Sequence, residues 1–309
     1  MSNAPLLVGL DIGGTSCAAV IGIPTADGIA VRDRAEFRTA ETPEPLACLT
    51  RLTDLAKGLL AGATPQAAGV ACGGPLDASA GLVLGPPNLP GWDRVQVSDV
   101  VARQLGCRTR LENDADACAV AEWRWGAGRG CRTMAFLTMG TGLGAGLIID
   151  GRLHRGARNL AGELGHWRLA ADGPLGYGKR GSFEGFCAGG GIGRWAREEG
   201  LPYDSASGLF AAAATGDHAA LALVECIATR LGEGLALLTD LLDPERIVIG
   251  GIFARREALL RPMMERVLAR EALRPCPVVP AILGEAVGDL AALAVAPFQL
   301  SQQSQEAAS

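Results

Sequence analysis

The stretch "LLVGLDIGGTSCAAVIGI" at residues 6–23 decides the fold, because it places two apolar runs on either side of a glycine pair. Apolar runs that flank a glycine turn in this way are typical of the two strands of a β-hairpin. A second stretch, "TMAFLTMGTGLGAGLIIDGRL" at residues 133–153, repeats the order of strand, glycine turn and strand. We interpret the repeat as an internal duplication, in which two domains each open with a glycine-turn hairpin.

The composition indicates a soluble globular protein. Its 309 residues exceed the usual domain size of about 100–200 residues and favour two domains. A net charge of −5 and the lack of a basic run argue against a nucleic-acid partner. The first residues, "MSNAPLLVGLDIGG", show no signal peptide and no membrane span. Nine scattered cysteines without a CxxC pair predict reduced thiols in a cytoplasmic protein.

Strand and helix patterns alternate along the chain, which predicts an α/β protein. Further strands are expected at 31–39, 67–74, 108–114, 246–251 and 278–284. Helices are expected at 44–61, 99–106, 115–126, 183–199, 205–215, 217–242, 255–270 and 287–297.

The first glycine turn, "DIGGTS" at residues 11–16, has the residues of a phosphate-binding loop. Gly13 and Gly14 let the backbone bend so that N–H groups face a phosphate, and Thr15 and Ser16 add hydroxyl donors. Asp11 is suited to a hydrated Mg²⁺ that bridges phosphates. A plain hairpin turn is the alternative, because the motif is neither a dinucleotide fingerprint nor a P-loop.

The second turn, "GTGLGAG" at residues 140–146, lies in the same setting of strand, turn and strand. Its residues Gly140, Thr141 and Gly142 would face phosphates as well, so that two turns could hold one nucleotide between two domains. "VIGGIF" places Gly250 and Gly251 after a predicted strand, where they leave room for a flat group such as adenine.

Polar residues at two places suit a polyhydroxy substrate. Asn113 and Asp114 lie where a strand leads into a helix, so they either cap that helix or bind and deprotonate a substrate hydroxyl. Glu163, His166 and Glu184 bracket a glycine-rich loop and suit a ring of hydroxyls. A metal site and a structural histidine are the alternatives there. Asn88, in the proline-rich loop "PPNLPGW", either faces a ligand or caps a turn.

In their order and spacing these segments resemble the ROK family of sugar kinases and repressors, within the actin-like ATPase superfamily. The resemblance covers about residues 6–297. It rests on the motifs "DIGGTS", "GGPLD", "PNLPGW", "END", "GTGLGAG", "AGELGH", "GSFEG" and "VIGG". It implies an α/β fold of two ribonuclease-H-like domains with a ligand cleft between them. The N-terminal domain would span residues 1–117 and be joined by the last helix, at about 286–300. The C-terminal domain would span residues 118–285.

The resemblance also implies an ATP- and Mg²⁺-dependent kinase that phosphorylates the 6-hydroxyl of a hexose. Glucose is the first candidate, and N-acetylglucosamine or N-acetylmannosamine is the alternative. Asp114 would be the catalytic base, and Asp11 would hold Mg²⁺ through water. The sugar would be held by Gly74, Asn88, Asn113, Glu163, His166 and Glu184. ATP would be held by Asp11, Gly13, Gly14, Thr15, Ser16, Gly140, Thr141, Gly142, Gly250 and Gly251.

One departure from the family concerns zinc. The family usually carries a zinc site of His and three cysteines, in a C-x-C-G-x-x-G-C-x-E run. Aligned at its final glutamate, that run places Leu175, Tyr177 and Ser182 where the cysteines belong. His166 without thiolates cannot build a closed zinc site, so zinc is predicted absent. We expect packing of Tyr177 and Phe183, together with glycine turns, to hold the loop instead.

Two functions of another class stay open, namely a non-catalytic sugar sensor and a ROK-type transcriptional regulator lacking its DNA-binding domain. Such regulators carry a helix-turn-helix before the first glycine turn, whereas ten residues precede Asp11 here. An intact Asp114 argues against the sensor. The expected partners are a hexose and ATP, with no nucleic acid and no membrane. A homodimer is left open, and so is a phosphate donor other than ATP.

Overall fold

The computed structural model describes residues 5–25, 28–284 and 287–297. These residues form two compact units, each built on its own five-stranded sheet. The first unit comprises the described residues within 1–129, 156–159 and 283–297, and the second comprises 130–155 and 160–282. The chain is therefore an α/β protein of two units, as the sequence predicts.

The strands are β1 (Leu7–Ile12), β2 (Ser16–Thr25), β3 (Gly28–Arg38), β4 (Ala67–Cys72), β5 (Leu76–Asp77), β6 (Leu82–Val83), β7 (Val95–Gln96), β8 (Arg108–Asn113), β9 (Met134–Met139), β10 (Leu143–Ile149), β11 (Arg152–His154), β12 (Leu175–Gly176), β13 (Lys179–Arg180), β14 (Arg246–Gly251) and β15 (Val278–Pro280). The helices are α1 (Pro45–Leu60), α2 (Val97–Leu105), α3 (Asp114–Trp125), α4 (Phe183–Cys187), α5 (Gly189–Glu198), α6 (Ala206–Ala214), α7 (His218–Leu242), α8 (Ile252–Glu271) and α9 (Val287–Val295). Short 3₁₀ helices lie at Thr39–Glu41 and Leu164–His166.

The two five-stranded sheets have the same topology. The first has the order β3-β2-β1-β4-β8, in which β1, β2 and β3 are antiparallel and β4 and β8 run parallel to β1. The second has the order β11-β10-β9-β14-β15 with the corresponding directions. This agreement supports the internal duplication inferred from the two glycine-turn hairpins.

The strand registers bring the predicted motifs to one edge of each sheet. In the first sheet Ile12 lies opposite Cys72, and Cys72 lies opposite Asn113. In the second sheet Met139 lies opposite Gly251. Ligands of open α/β sheets usually bind at the carboxyl ends of the parallel strands, where the segments after these residues begin.

Helix α9 packs on the sheet of the first unit over strands that carry glycine. Leu293 joins the buried cluster of Leu7 and Val20, and Arg124 of α3 donates a hydrogen bond of 2.8 Å from Nη1 to the carbonyl oxygen of Ala294. A Cβ on Gly69 of β4 would overlap the carbonyl oxygen of Ala292. Because Gly69 has no side chain, the backbone of α9 can approach β4 closely at this position.

The single helix predicted at 183–199 is wrong, because the structure has two helices there. Ala188 between α4 and α5 is extended, with φ −86° and ψ 149°. The next two amides turn to another segment, since Gly189 N donates to Gly140 O at 2.8 Å and Gly190 N to Thr141 O at 3.1 Å. These external hydrogen bonds interrupt the helical ladder.

Two other boundaries differ from expectation. The strand predicted at 278–284 is shorter, since β15 ends at Pro280. The proposed domain boundary at residue 117 lies inside α3, and the first unit continues to Arg129. Residues 286 and 298–300 of the predicted last helix lie outside the described residues. Within the described ranges, no helix has the length and apolarity needed to cross a bilayer.

Candidate functional site

The glycine turn between β1 and β2 is fixed by hydrogen bonds and exposed at its tip. Gly13 N donates to Ser16 O at 3.0 Å, and Thr39 Oγ1 donates to Gly13 O at 2.6 Å. The backbone N–H of Thr39 donates to Thr15 O at 3.0 Å. Gly14, Thr15 and Ser16 are exposed. The turn therefore presents its predicted phosphate-binding residues from a rigid base.

Gly14 lies directly against Asn88. A Cβ on Gly14 would stand 2.8 Å from Asn88 Cβ and 2.9 Å from its carbonyl oxygen, so a larger residue does not fit without movement. The loop that carries Asn88 is anchored by the buried side chains of Leu89 and Trp92. A predicted phosphate-binding residue and a predicted sugar-binding residue are thus neighbours.

Asp114 is the first residue of α3, directly after β8, and its side chain remains accessible to solvent. Asn113 caps the helix, because its Oδ1 accepts a hydrogen bond of 3.0 Å from Ala115 N. Its Nδ2 lies 3.1 Å from the position of a Cβ on Gly74, and Asp114 Oδ2 lies 3.9 Å from that of Gly73. The capping alternative is therefore correct for the Asn113 oxygen, while its amide nitrogen faces the "GGPLD" segment.

Three carboxylates crowd the edge of the first sheet. Burial, followed by repulsion from Asp114 and Asp289, raises the pKa of Asp11 from 3.8 to about 6, although Arg34 partly opposes the shift. Desolvation by the surrounding protein raises the pKa of Asp114. Arg34 donates from Nε to Asp289 Oδ2 at 2.9 Å. The negative charge suits a hydrated cation nearby, although these three carboxylates are not placed to ligate a metal ion directly.

Asp289 is a residue that sequence reasoning missed. It lies in the first turn of α9, next to Gly288, whose Cβ position is 3.3 Å from Asp11 Oδ2. Residues 11 and 289 are almost the whole chain apart, so no local pattern signals their proximity.

The second glycine turn, between β9 and β10, supports the start of α5. Gly140 N donates to Gly142 O at 3.0 Å, while the carbonyl oxygens of Gly140 and Thr141 accept from Gly189 and Gly190. Thr141 and Gly142 are exposed. The prediction did not include Gly189 and Gly190, although the glycine run "AGGGIG" at 188–193 was a visible signal.

The end of β14 lies beside this turn. Gly251 has φ 66°, a left-handed conformation, and its Cβ would overlap the carbonyl oxygen of Met139, which directly precedes Gly140. A Cβ on Gly250 would stand 3.2 Å from Phe136 Cζ. The structure thus brings together the nucleotide-binding residues predicted for the second unit.

Glu184 connects the second glycine turn to the loop that precedes α4. Its Oε2 accepts a hydrogen bond of 3.1 Å from Leu143 N, and its Oε1 accepts one of 3.3 Å from Tyr177 N. Glu184 is half-buried, so these backbone bonds fix its carboxylate in one orientation.

Tyr177 contacts the other two predicted sugar-binding residues. Its phenol Oη donates to Glu163 Oε2 at 3.4 Å. Its ring centroid lies 3.8 Å from that of His166, with the planes inclined by 30°. Glu163 and His166 are both exposed. The structure therefore joins Glu163, His166 and Glu184 through a residue that the sequence suggested only as packing for the loop.

The three residues that stand where the family's zinc cysteines belong, Leu175, Tyr177 and Ser182, each make a different kind of contact. Ser182 is buried and donates to Gly176 O at 3.0 Å, Leu175 O accepts from Arg194 Nη2 at 2.7 Å, and Tyr177 stacks as described. Phe183 is buried and lies nearly parallel to Trp167, with centroids 6.4 Å apart. The predicted packing of both aromatic residues is present. In the part of the chain described, no group of three or more His, Cys, Asp or Glu residues is placed to hold a metal ion.

Comparisons with known proteins agree with these geometries. The sequence profile of the ROK family matches residues 7–298. The chain belongs to the ROK family. It is 31% identical over 278 residues to a glucokinase of Thermotoga maritima, a match covering 85% of this chain and 87% of that protein. It is 34% identical over 252 residues to an N-acetylmannosamine kinase of Citrobacter koseri, covering 81% and 84%.

A solved ROK structure is also similar. The ROK family glucokinase from Streptomyces griseus, in complex with glucose and AMPPNP, matches with a TM-score of 0.76 and 30% identity. The match covers 94% of this chain and 99% of that one. The ROK resemblance inferred from the motifs is confirmed.

Proposed function

We propose that this ROK protein is an ATP-dependent sugar kinase that phosphorylates the 6-hydroxyl of a hexose, with glucose as the first candidate. The observation that carries the proposal is the position of Asp114, an accessible carboxylate at the sheet edge that also presents Asp11 and the turn at 13–16. The glucokinases among its relatives supply the choice of sugar.

Asp114 acts as the general base in this mechanism. It accepts the proton of the attacking hydroxyl, and desolvation raises its pKa toward the range in which a carboxylate is an effective base. Asn113 keeps its amide nitrogen toward the "GGPLD" segment while its oxygen caps α3, so it orients the sugar beside the base. In the second unit, Glu163, His166 and Glu184 offer acceptors and a ring nitrogen to further hydroxyls.

Enzymes lower the activation barrier of phosphoryl transfer mainly by positioning the reactants and by electrostatic stabilisation of the transition state. The exposed residues at 14–16 and 141–142 are suited to present backbone N–H groups to phosphates, while the N–H groups of Gly13 and Gly140 close the turns. When bound with ATP, Mg²⁺ would supply charge neutralisation on the transferring group. Asp11 would hold that ion through water, and the crowding of Asp11, Asp114 and Asp289 fits a cation at this edge.

A second sugar is supported by a specific observation, the 34% identity to an N-acetylmannosamine kinase. The loop after Gly74, "PLDASAGLVLGPPN", carries no bulky side chain that would exclude an acetamido group.

We further propose a cytoplasmic reaction, which is supported by nine cysteines without a disulfide.

The decisive experiment is a coupled ADP-release assay with ATP and Mg²⁺ on glucose, mannose, fructose, N-acetylglucosamine and N-acetylmannosamine, with a no-sugar blank. We expect Asp114→Asn to lower kcat on the preferred sugar by about 10²–10⁴-fold while sugar binding is retained. Wild-type activity should rise with pH as Asp114 loses its proton, because a general base acts in its ionised form.

Asp116→Asn is the matched control, because it removes a carboxylate from the same helical turn. Its kcat should stay near that of the wild type. A folded wild-type protein that is inactive on every sugar, or an Asp114→Asn variant as active as the control, would overturn the proposal. The first outcome would favour a sensor.

A further inference from the structure

We propose that Tyr177 is a positioning residue that holds the sugar-binding side chains Glu163, His166 and Glu184 in their working orientation. The inference deepens the proposed function and rests on it. Tyr177 is the one of the two tyrosines that stands where the family's zinc run has a cysteine. A tyrosine ring and phenol would thus hold residues next to a site that relatives brace with metal.

Tyr177 reaches each of the three residues with a different chemical group. Its backbone N–H donates to Glu184 Oε1, its phenol donates to Glu163 Oε2, and its ring stacks on His166. Within the described residues, the Tyr177 phenol is the hydrogen-bond partner found for the Glu163 carboxylate, and the Tyr177 ring is the aromatic ring found against His166. The three sugar-binding residues therefore all contact Tyr177, and Glu184 is held by Leu143 N as well.

The support is itself fixed. Tyr177 and Gly178 form the two-residue tip of the hairpin between β12 and β13, with φ 50° and 70°, as the tight hairpin turns with two left-handed residues require. Behind the tip, the carbonyl of Gly176 accepts from the buried hydroxyl of Ser182. On the other side, a Cβ on Gly165 would stand 2.6 Å from Tyr177 Cε2, so the ring lies flush on the backbone between Glu163 and His166.

Contact with Tyr177 would reduce the rotamer freedom of the Glu163 and His166 side chains before the sugar binds. Glu163 and His166 are exposed, and exposed side chains lose rotamer entropy when a ligand fixes them. The phenol holds one carboxylate oxygen of Glu163 and leaves the other for a sugar hydroxyl. The ring holds the imidazole plane of His166 while its edge nitrogens remain available. Preorganised groups bind a sugar more tightly because less ordering remains to be done.

Kinetics separate the phenol from the ring. Tyr177→Phe removes the hydrogen bond to Glu163 and should raise the sugar KM about 3–10-fold. Tyr177→Asn removes the ring as well, yet asparagine tolerates the left-handed backbone, so the hairpin should persist. We expect its sugar KM to rise about 10–100-fold, while the KM for ATP and the melting temperature change little. Tyr203→Phe, which removes the other phenol of the chain together with its hydrogen bond to Asp217, is the matched control and should keep the wild-type KM values.

Nuclear magnetic resonance tests the stacking without any need for activity. The chain has three histidines, so the imidazole signals of His154, His166 and His218 can be assigned by substitution. His166 should show an upfield ring-current shift that Tyr177→Phe and Tyr203→Phe retain and Tyr177→Asn abolishes. This readout remains valid if the wild type phosphorylates no sugar, and it therefore distinguishes failure of the inference from failure of the proposed function.

Three results would overturn the inference. The first is a folded Tyr177→Asn protein whose His166 signals coincide with those of the wild type. The second is an active Tyr177→Asn enzyme whose sugar KM equals that of Tyr203→Phe. A parallel fall in kcat, ATP affinity and melting temperature would also contradict it, because that pattern marks a general loss of structure.

Discussion

At the scale of single residues, Asp11 shows a conflict between stability and function. Its carboxylate is largely buried and faces Asp114 and Asp289, which raises its pKa to about 6. When Asp11 is ionised in the ligand-free protein, its charge is repelled by Asp114 and Asp289. The arrangement is unfavourable for folding alone and becomes favourable only when a cation or its phosphate complex binds.

Asp11→Asn should therefore stabilise the ligand-free protein and abolish phosphoryl transfer. The folded pKa of about 6 exceeds the ordinary 3.8, so the folded state retains a proton that the unfolded chain releases. The contribution of Asp11 to the free energy of unfolding of the wild type thus falls as pH rises from about 4 through 6. At pH 7 the variant should be more stable by about 1–2 kcal/mol, and near pH 4 by much less.

Urea unfolding between pH 4 and 8, without Mg²⁺, measures this difference. Asp54→Asn is the control, because Asp54 is exposed and forms a surface ion pair with Lys57. If the gap between the Asp11→Asn and wild-type curves does not widen with pH, the carboxylate crowding is not what the structure indicates.

The predictability of the site differs from residue to residue. Asp114, Gly14 and Asn113 were predicted because each belongs to a short motif whose function follows from its own neighbours in sequence. Asp289 escaped because its contacts depend on a helix that returns from the far end of the chain. The ring stack of Tyr177 on His166 escaped because it depends on how the chain folds back between two residues eleven positions apart. Tertiary proximity of this kind leaves no periodic signal.

At the scale of elements, glycines shape where helices meet sheets. Gly9 and Gly22 on β1 and β2 face Leu293, and Gly69 on β4 faces the backbone of Ala292. Together they form a smooth seat for α9. The hydrophobic pattern predicted these strands and this helix. It did not show that the helix covers these glycines, since pattern gives a buried face and not the partner of that face.

Gly69→Ala should displace α9 and destabilise the first unit. The added methyl group would overlap the carbonyl oxygen of Ala292, and backbone cannot rotate away as a side chain does. We expect a loss of about 2–4 kcal/mol in the free energy of unfolding. Gly58→Ala is the matched control, because the methyl group faces open space among the described residues of α1 and should stabilise by about 0.5–1 kcal/mol.

Urea denaturation of both variants, followed by circular dichroism, measures the two effects. Equal stability of Gly69→Ala and wild type would contradict the close approach of α9 to β4.

The break at Ala188 is another element-scale feature beyond prediction, since both halves of the segment at 183–199 have helical character. The competing hydrogen bonds to Gly140 and Thr141 decide the break, and they come from a segment some 50 residues away.

At the scale of the whole molecule, the duplicated topology was readable from two hairpins alone. Equal order and direction in the two sheets follow from equal patterns of strand, glycine turn and strand. The division between the units was less readable, because α3 continues smoothly through residue 117. A helix interior offers no change of composition that would mark a boundary.

The molecule should also fold without zinc. His166 has no thiolate partner in the loop, where Leu175, Tyr177 and Ser182 stand instead. We expect metal analysis of the purified protein to show no stoichiometric zinc. A strong chelator should leave the melting temperature unchanged, whereas loss of a structural zinc typically costs on the order of 10 kcal/mol. One bound zinc per chain, or a chelator-induced fall in melting temperature, would contradict this prediction.

The seat of α9 on Gly9, Gly22 and Gly69 has a consequence for synthesis on the ribosome. Strands β1, β2 and β4 emerge early, but the helix that covers this face of their sheet is made only after the whole second unit. Domains usually fold in the order in which they emerge. Here the apolar face of the first unit stays uncovered until α9 has been made. The second unit, although it comes later in the sequence, has all its strands and helices before the first unit does. A chaperone that binds exposed apolar strands would therefore act on the early part of this chain throughout translation.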